Sequence, residues 1–208
     1  MNLVRRRPAL PTTTDCRGLQ RERILSTAQA LFYGEGVRAT GIDRIIAQSA
    51  VTKVTFYRQF ASKDALIEAF LKRRHAVWIA DFRAQLSKHR EAQSAKQRRI
   101  APLEPLLRTG AAIMHAPLFR GCAFANTVAE VGPILPSVLR IAVEHKREVC
   151  DPTAALLPPH GSRDQVAWAA TVALDGTLIN AQANGHSIDT ALKGLETILN
   201  ALNATLQG

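Results

Sequence analysis

Polar side chains in one short segment have the chemistry to form hydrogen bonds with the edges of nucleic-acid bases. Lys53, Thr55 and Arg58 lie close together, while Phe56 and Phe60 stand four residues apart. Residues at that spacing share one face of a helix, so the polar residues fall on another face. Such a helix needs polar groups at its N-terminal end to meet bases and apolar groups behind them to fix it on a support. We therefore predict that this segment is a DNA recognition helix.

A supporting helix and a turn must position that segment. Thr40, with Asp43 three residues on, is typical of a capping box and predicts a helix over residues 41–49. A short turn follows, and Thr52 opens the recognition helix, which extends to Phe60. In a helix-turn-helix motif the second helix lies in the major groove while the first crosses the backbone.

Helices on either side complete the module. The preceding helix begins near Arg21 and ends at Gly34 and Gly36, because glycine readily takes the left-handed conformation of a helix C-terminus. Its apolar stripe is Ile24, Leu25, Ala28, Leu31 and Phe32. The following, longer helix is capped by Ser62, with Asp64 in its first turn.

The charge distribution supports a polyanion as partner. The chain of 208 residues has a formal net charge of +10, and residues 1–63 hold eleven Lys or Arg against four Asp or Glu. Basic side chains that neutralise phosphates release counterions and so bind nucleic acid. A solvated basic face is the alternative. Residues 1–18, with three consecutive arginines, predict a mobile basic arm that can also reach a minor groove.

Four segments carry a family resemblance. They are Ile24-Leu25-x-x-Ala28-x-x-Leu31-Phe32, Gly36-Val37-x-x-Thr40, Ile45-Ile46-Ala47-x-x-Ala50-Val51 and Thr55-Phe56-Tyr57-x-x-Phe60-x-Ser62-Lys63-Asp64-x-Leu66. In these positions the chain resembles the TetR/AcrR family of bacterial transcriptional regulators. The resemblance implies an all-α fold, with a three-helix DNA-binding domain over residues 19–63 and a larger effector-binding and dimerisation domain over residues 64–208. Val54 departs from the small residue, usually glycine, that members often have there.

The resemblance also implies roles for individual residues. Thr40, Tyr57 and Lys63 match positions that contact phosphates, and base reading then falls to the polar residues of the recognition helix. The predicted DNA-binding set is Thr40, Thr52, Lys53, Thr55, Tyr57, Arg58 and Lys63. The alternatives are structural: Thr40 can be only a cap, Tyr57 can pack between helices, and Lys63 can be a surface charge.

The last two helices are expected to hold two copies together. One runs from about Gln165 to Asn184, and its small residues permit close approach of a partner, while the next has leucines at steps of four and three. The predicted homodimer interface comprises Ala169, Ala173, Gly176, Leu192, Leu195, Leu199 and Leu202. The resemblance implies a four-helix interface of the same kind. Completion of the monomer's own core is the alternative for one face of each helix.

An effector pocket in the larger domain is implied by the resemblance alone. Residues that could line it are Trp78, Phe82, Met114, His115, Phe119, Phe124, Asn126 and Trp168, with Glu130 and His145 as further polar candidates. Ordinary core packing or surface solvation is the alternative for each of them. The sequence does not specify the ligand.

Other classes of protein fit the sequence less well. It contains none of the common catalytic or nucleotide-binding motifs, so we expect neither an enzyme nor a bound cofactor. Cys16, Cys122 and Cys150 lack the spacing of a metal site or a disulfide framework. No window approaches the roughly 20 apolar residues of a membrane span, so we expect a cytoplasmic protein. An activator of the same fold and a non-specific nucleic-acid binder remain alternatives to a repressor.

Overall fold

The computed structural model describes residues 13–183 and 188–206, and within them the chain is helical and has no strand. The helices are α1 (Thr13–Glu35), α2 (Ile42–Ser49), α3 (Lys53–Gln59), α4 (Lys63–Glu91), α5 (Ala95–Ile100), α6 (Glu104–Met114), α7 (Ala123–Val131), α8 (Pro136–Ala154), α9 (Arg163–Ala183) and α10 (Ile188–Ala204). The predicted all-α fold is confirmed. The chain divides into two compact units, one ending at Phe70 and the other beginning at Leu71.

The core of the first unit is built on the predicted apolar stripe of α1. All five residues of that stripe are buried, and α1 packs against both α2 and α3. Phe32 of α1 meets Phe70 of α4 edge to face, with ring centroids 5.5 Å apart. The apolar spacing of α1 therefore supplies the platform on which the two short helices rest.

Both ends of α1 differ from the prediction. The helix begins at Thr13, so part of the segment expected as an arm is helical; residues 1–12 lie outside the described residues. The sequence of its first turns shows no apolar periodicity, but extending an existing helix costs little free energy. At the other end Gly34 lies inside the helix, and Gly36 alone has a left-handed backbone (φ +95°), where its N–H donates to Phe32 O at 3.1 Å.

The second unit is a helical bundle around one hydrophobic core. Helix α9 packs against α8, α10 and α6, and α7 packs against α8. Leu195 and Leu199 of α10 are buried in this core, with Leu192 and Leu202 packed against its edge. The leucine seam expected to face a second copy therefore meets α9 and α6 of the same chain. None of the described helices has both the length and the apolar character needed to cross a membrane.

Candidate nucleic-acid interface

The turn between α2 and α3 depends on one left-handed residue. Ala50 has φ +49° and ψ +47°, and its N–H donates to Ala47 O at 3.2 Å. A guanidinium nitrogen of Arg23, on α1, donates to Ala50 O at 3.3 Å. The predicted turn at Ala50 is confirmed, and Arg23 ties it to the platform. Sequence reasoning missed Arg23 because its partner lies 27 residues away and no local pattern links the two.

Thr52 caps α3, as predicted. Its Oγ1 accepts a hydrogen bond from the backbone N–H of Thr55 at 3.1 Å, which satisfies one of the free donors at the helix start. The two hydroxyl oxygens, Thr52 Oγ1 and Thr55 Oγ1, also lie 2.9 Å apart. Both threonine hydroxyls therefore have local partners within the cap.

Aromatic packing fixes α3 on its support. Phe56 is fully buried and Phe60 nearly so, with ring centroids 6.3 Å apart. The guanidinium of Arg21 stacks 4.5 Å from the centre of the Phe60 ring, a cation–π contact that the sequence did not reveal. Tyr57 contacts Phe56 edge to face at 5.3 Å, yet 44% of Tyr57 stays exposed. Tyr57 therefore packs against Phe56 and still presents part of its side chain to solvent.

The exposed part of α3 carries two basic side chains. Lys53 and Arg58 are both exposed. Lys53 Nζ lies 3.9 Å from a carboxylate oxygen of Asp43, and both side chains are largely solvated. Exposed ion pairs at that distance contribute little free energy. Lys53 can therefore leave Asp43 for a stronger partner at little cost.

Thr40 takes a different role from the one predicted. It is fully buried, and its Oγ1 donates a hydrogen bond to Gly36 O at 2.7 Å. The N-cap of α2 is Gly41, with no hydrogen bond from a side chain. The capping role expected of Thr40 is therefore wrong; its hydroxyl instead closes the turn after α1. With no exposed surface, Thr40 is not assigned a phosphate contact.

The start of α4 lies on the same module. Ser62 Oγ accepts from the backbone N–H of Ala65 at 3.1 Å, so the predicted cap is confirmed. Lys63, the first residue of α4, is half-buried.

An ion pair joins the supporting helix to α1. Arg44 of α2 makes a two-pronged ion pair with Glu35 of α1, one branch of which measures 2.7 Å. This bidentate pair braces α2 against α1.

One aromatic cluster in the second unit contains Trp78, Phe82, Phe124 and His145, all of them pocket candidates from the sequence. Trp78 stacks on Phe82 with centroids 4.8 Å apart, and Phe124 stacks on His145 at 3.7 Å. Trp78 also meets His145 at 5.0 Å, which joins the two stacks. Met114 is buried, and Phe119 packs at the edge of the same core. His145, about two and a half turns into α8, is central to this cluster because its ring contacts both Trp78 and Phe124.

Three other predicted pocket residues are used elsewhere. His115 is exposed, with Nε2 3.8 Å from Asp189. Trp168 is about half exposed on α9. Asn126 donates from Nδ2 to Arg120 O at 3.1 Å and so holds the preceding loop. The ring contacts described above include none of these three. Within the described residues, no group of three His, Cys, Asp or Glu side chains is placed to hold a metal ion.

The arrangement of α2, turn and α3 on α1 defines the class of helix-turn-helix DNA-binding proteins. The family model described as bacterial regulatory proteins, tetR family, matches residues 24–70. A TetR-family transcriptional regulator from Streptomyces coelicolor is 32% identical, with 89% of this chain and 97% of that chain covered and a TM-score of 0.72. The chain belongs to the TetR family of transcriptional regulators.

A second solved structure shares the fold at lower identity. It is a TetR-family transcriptional regulator from Cytophaga hutchinsonii, 16% identical, with 95% of this chain and 98% of that chain covered and a TM-score of 0.75. A search of curated proteins found no match.

Proposed function

We propose that this protein is a transcriptional repressor that binds a pseudo-palindromic operator as a homodimer and releases it when a small molecule binds. The exposed face of α3 supports the DNA-binding role. Lys53 and Arg58 stand exposed on a helix whose opposite side, at Phe56, is fully buried. An anchored helix with exposed donors on its outer face suits the major groove. Occlusion of a promoter is the common mode of the family, which favours repression.

Within that proposal the side chains divide into two groups. Lys53 and Arg58 read base edges, since their flexible charged ends can reach into the groove. Tyr57 and Lys63 contact phosphates beside it and set the register. Thr52 and Thr55 shape the helix start. The bond between their hydroxyls uses one of the two hydroxyl hydrogens, so the other can still donate to DNA.

The homodimer interface is proposed on the outward faces of α9 and α10. Trp168, Val172 and Ile179 are each about half exposed and follow one side of α9, and Ile198 is similarly exposed on α10. A Cβ added to Gly176 would meet no atom within 4 Å, so the surface there is open to a partner helix. An apolar stripe of this kind is typical of a surface that pairs. Ala169, Ala173 and Gly176 remain in this proposal, whereas buried Leu195 and Leu199 do not.

An effector site is proposed at the aromatic cluster of Trp78, Phe82, Phe124 and His145. Trp78 and Phe82 belong to α4, so a ligand that separates the two ring stacks would also displace that helix. Repression is relieved if the ligand prefers a dimer shape that does not fit the operator. Aromatic walls with imidazole donors suit a small, mainly apolar molecule that has at least one polar group.

Selection of bound duplexes from a random pool, followed by quantitative binding, tests the proposal. We expect one two-fold symmetric sequence with half-sites about one helical turn apart, bound at least 1,000-fold more tightly than random duplex. Sedimentation of the protein with and without that duplex should show two copies per operator. Equal affinity for every duplex would overturn the proposal. A reporter driven by a promoter that overlaps the selected site should be silenced by the protein, whereas increased transcription would favour an activator.

A further inference from the structure

Val54 is an exposed apolar residue in the middle of a polar surface. It is the second residue of α3 and is 68% exposed, the highest value among the large hydrophobic side chains described in the first unit. A single apolar residue on a protein surface is ordinary. Val54, however, lies on the helix proposed to enter the major groove.

The helical angle places Val54 at the centre of the outward face of α3. At about 100° per residue, Lys53, Tyr57, Val54 and Arg58 follow one another around an arc of about 140°. Val54 lies between Tyr57 and Arg58 on that arc, and about 160° from Phe56, which is fully buried. Val54 therefore points almost directly away from the helices that support α3.

The chemistry of this position is apolar and stiff. A valine side chain has no hydrogen-bond donor or acceptor, and its branched Cβ restricts it to few rotamers. Among the base edges of the major groove, the 5-methyl group of thymine is the apolar feature.

We propose that Val54 is a specificity-determining residue that selects thymine by packing against its 5-methyl group. The proposal rests on α3 being the DNA recognition helix, as argued above. At the same place cytosine has a hydrogen in place of the methyl group and so loses the apolar contact. A purine presents N7 there, a polar atom that Val54 cannot satisfy and that would lose water without gaining a partner.

Single-atom changes in the operator test this contact directly. Each thymine of the selected operator is replaced in turn by deoxyuridine, which lacks only the 5-methyl group. We expect one symmetric position at which the wild type loses about fourfold in affinity per half-site, the value of one buried methyl group. Val54→Ala should bind the thymine and uracil duplexes almost equally. At the same position, 5-methylcytosine should bind the wild type more tightly than cytosine, and Val54→Ala should lose that preference.

Two further variants test whether the uracil sensitivity depends on the shape of the side chain at position 54. Val54→Thr keeps the branched Cβ and one methyl group, so it should keep most of the sensitivity to uracil. Val77→Ala changes a valine of similar exposure on α4 and should leave that sensitivity unchanged. A selected operator with no uracil-sensitive position, or one whose sensitivity survives Val54→Ala, would overturn the inference while the repressor proposal stands. Absence of any preferred duplex would overturn both.

Discussion

The Nδ1 atoms of His75 on α4 and His145 on α8 lie 3.0 Å apart, so one imidazole donates and the other accepts. Burial lowers the pKa of His145 to about 3, and the positive charges of Lys146, His75 and Arg74 act in the same direction. His145 is therefore neutral in the folded protein at any physiological pH. On its other side His75 places Nε2 3.2 Å from a carboxylate oxygen of Glu148.

The low pKa of His145 makes stability depend on pH. An unfolded imidazole titrates near 6.5, so below that pH the unfolded chain binds a proton that the folded chain does not. The stability that neutral His145 contributes to the folded state is fully present above about pH 6.5 and is lost as the pH falls toward 3. From pH 7 to pH 5 we expect the free energy of unfolding to drop by roughly 2 kcal/mol from this group. Urea unfolding at the two pH values measures it.

A non-titrating replacement is the control for that measurement. His145→Asn keeps a polar partner for His75 and should reduce the pH-dependent loss by roughly 2 kcal/mol. His115→Asn removes an exposed histidine and should leave the loss unchanged. An unaltered pH dependence in His145→Asn would show that other groups cause it.

Base-reading and phosphate-contacting residues should respond differently to substitution. Lys53→Ala and Arg58→Ala should each lower the preference for the selected operator over random duplex, because base contacts carry the sequence information. Tyr57→Phe and Lys63→Ala should weaken binding evenly on all duplexes, and Lys63→Ala should reduce the slope of log affinity against log salt by about 1. Titrations at several salt concentrations measure both quantities. Equal, sequence-neutral losses for all four variants would contradict the division.

The features that the sequence predicted correctly are those fixed by neighbours along the chain. The Thr52 cap, the Ala50 turn and the Phe56–Phe60 pair each depend on residues three or four positions apart. Thr40 shows the limit, because a threonine that caps the next helix and one that bonds back to Gly36 have the same local sequence. The leucine seam of α10 has the same limit, since an apolar stripe does not reveal whether its partner helix belongs to the same chain.

Thr40→Val tests the structural role of that hydroxyl. The variant keeps the shape but leaves Gly36 O without its 2.7 Å partner, so we expect a loss of about 1 kcal/mol in the free energy of unfolding. At a temperature where the variant is fully folded, its affinity for the operator should match that of the wild type. Normal stability with reduced affinity for the operator would instead indicate that Thr40 contacts DNA.

Gly121 should resist substitution because its backbone is left-handed, with φ +75°. Gly121→Ala should cost about 1–2 kcal/mol of stability from backbone strain. An added Cβ would also overlap Gln182 Oε1, but that flexible side chain is exposed and can move. Adding Gln182→Ala should therefore recover only a small part of the loss. Gly161→Ala, where a Cβ meets no atom within 4 Å, is the matched control in thermal unfolding.

A charge on the outer face of α9 should separate the proposed dimer. Val172 is 55% exposed on α9, and Val143 is 53% exposed on α8, so the two valines are closely matched. Val172→Glu would bury a carboxylate from each copy against apolar side chains, which is costly without a partner for the charge. We expect sedimentation to show a single copy and operator binding to weaken to that of an isolated half-site. Val143→Glu should leave both properties unchanged. If Val172→Glu stays dimeric while Val143→Glu dissociates, the interface lies on α8 and the α9 stripe has another role.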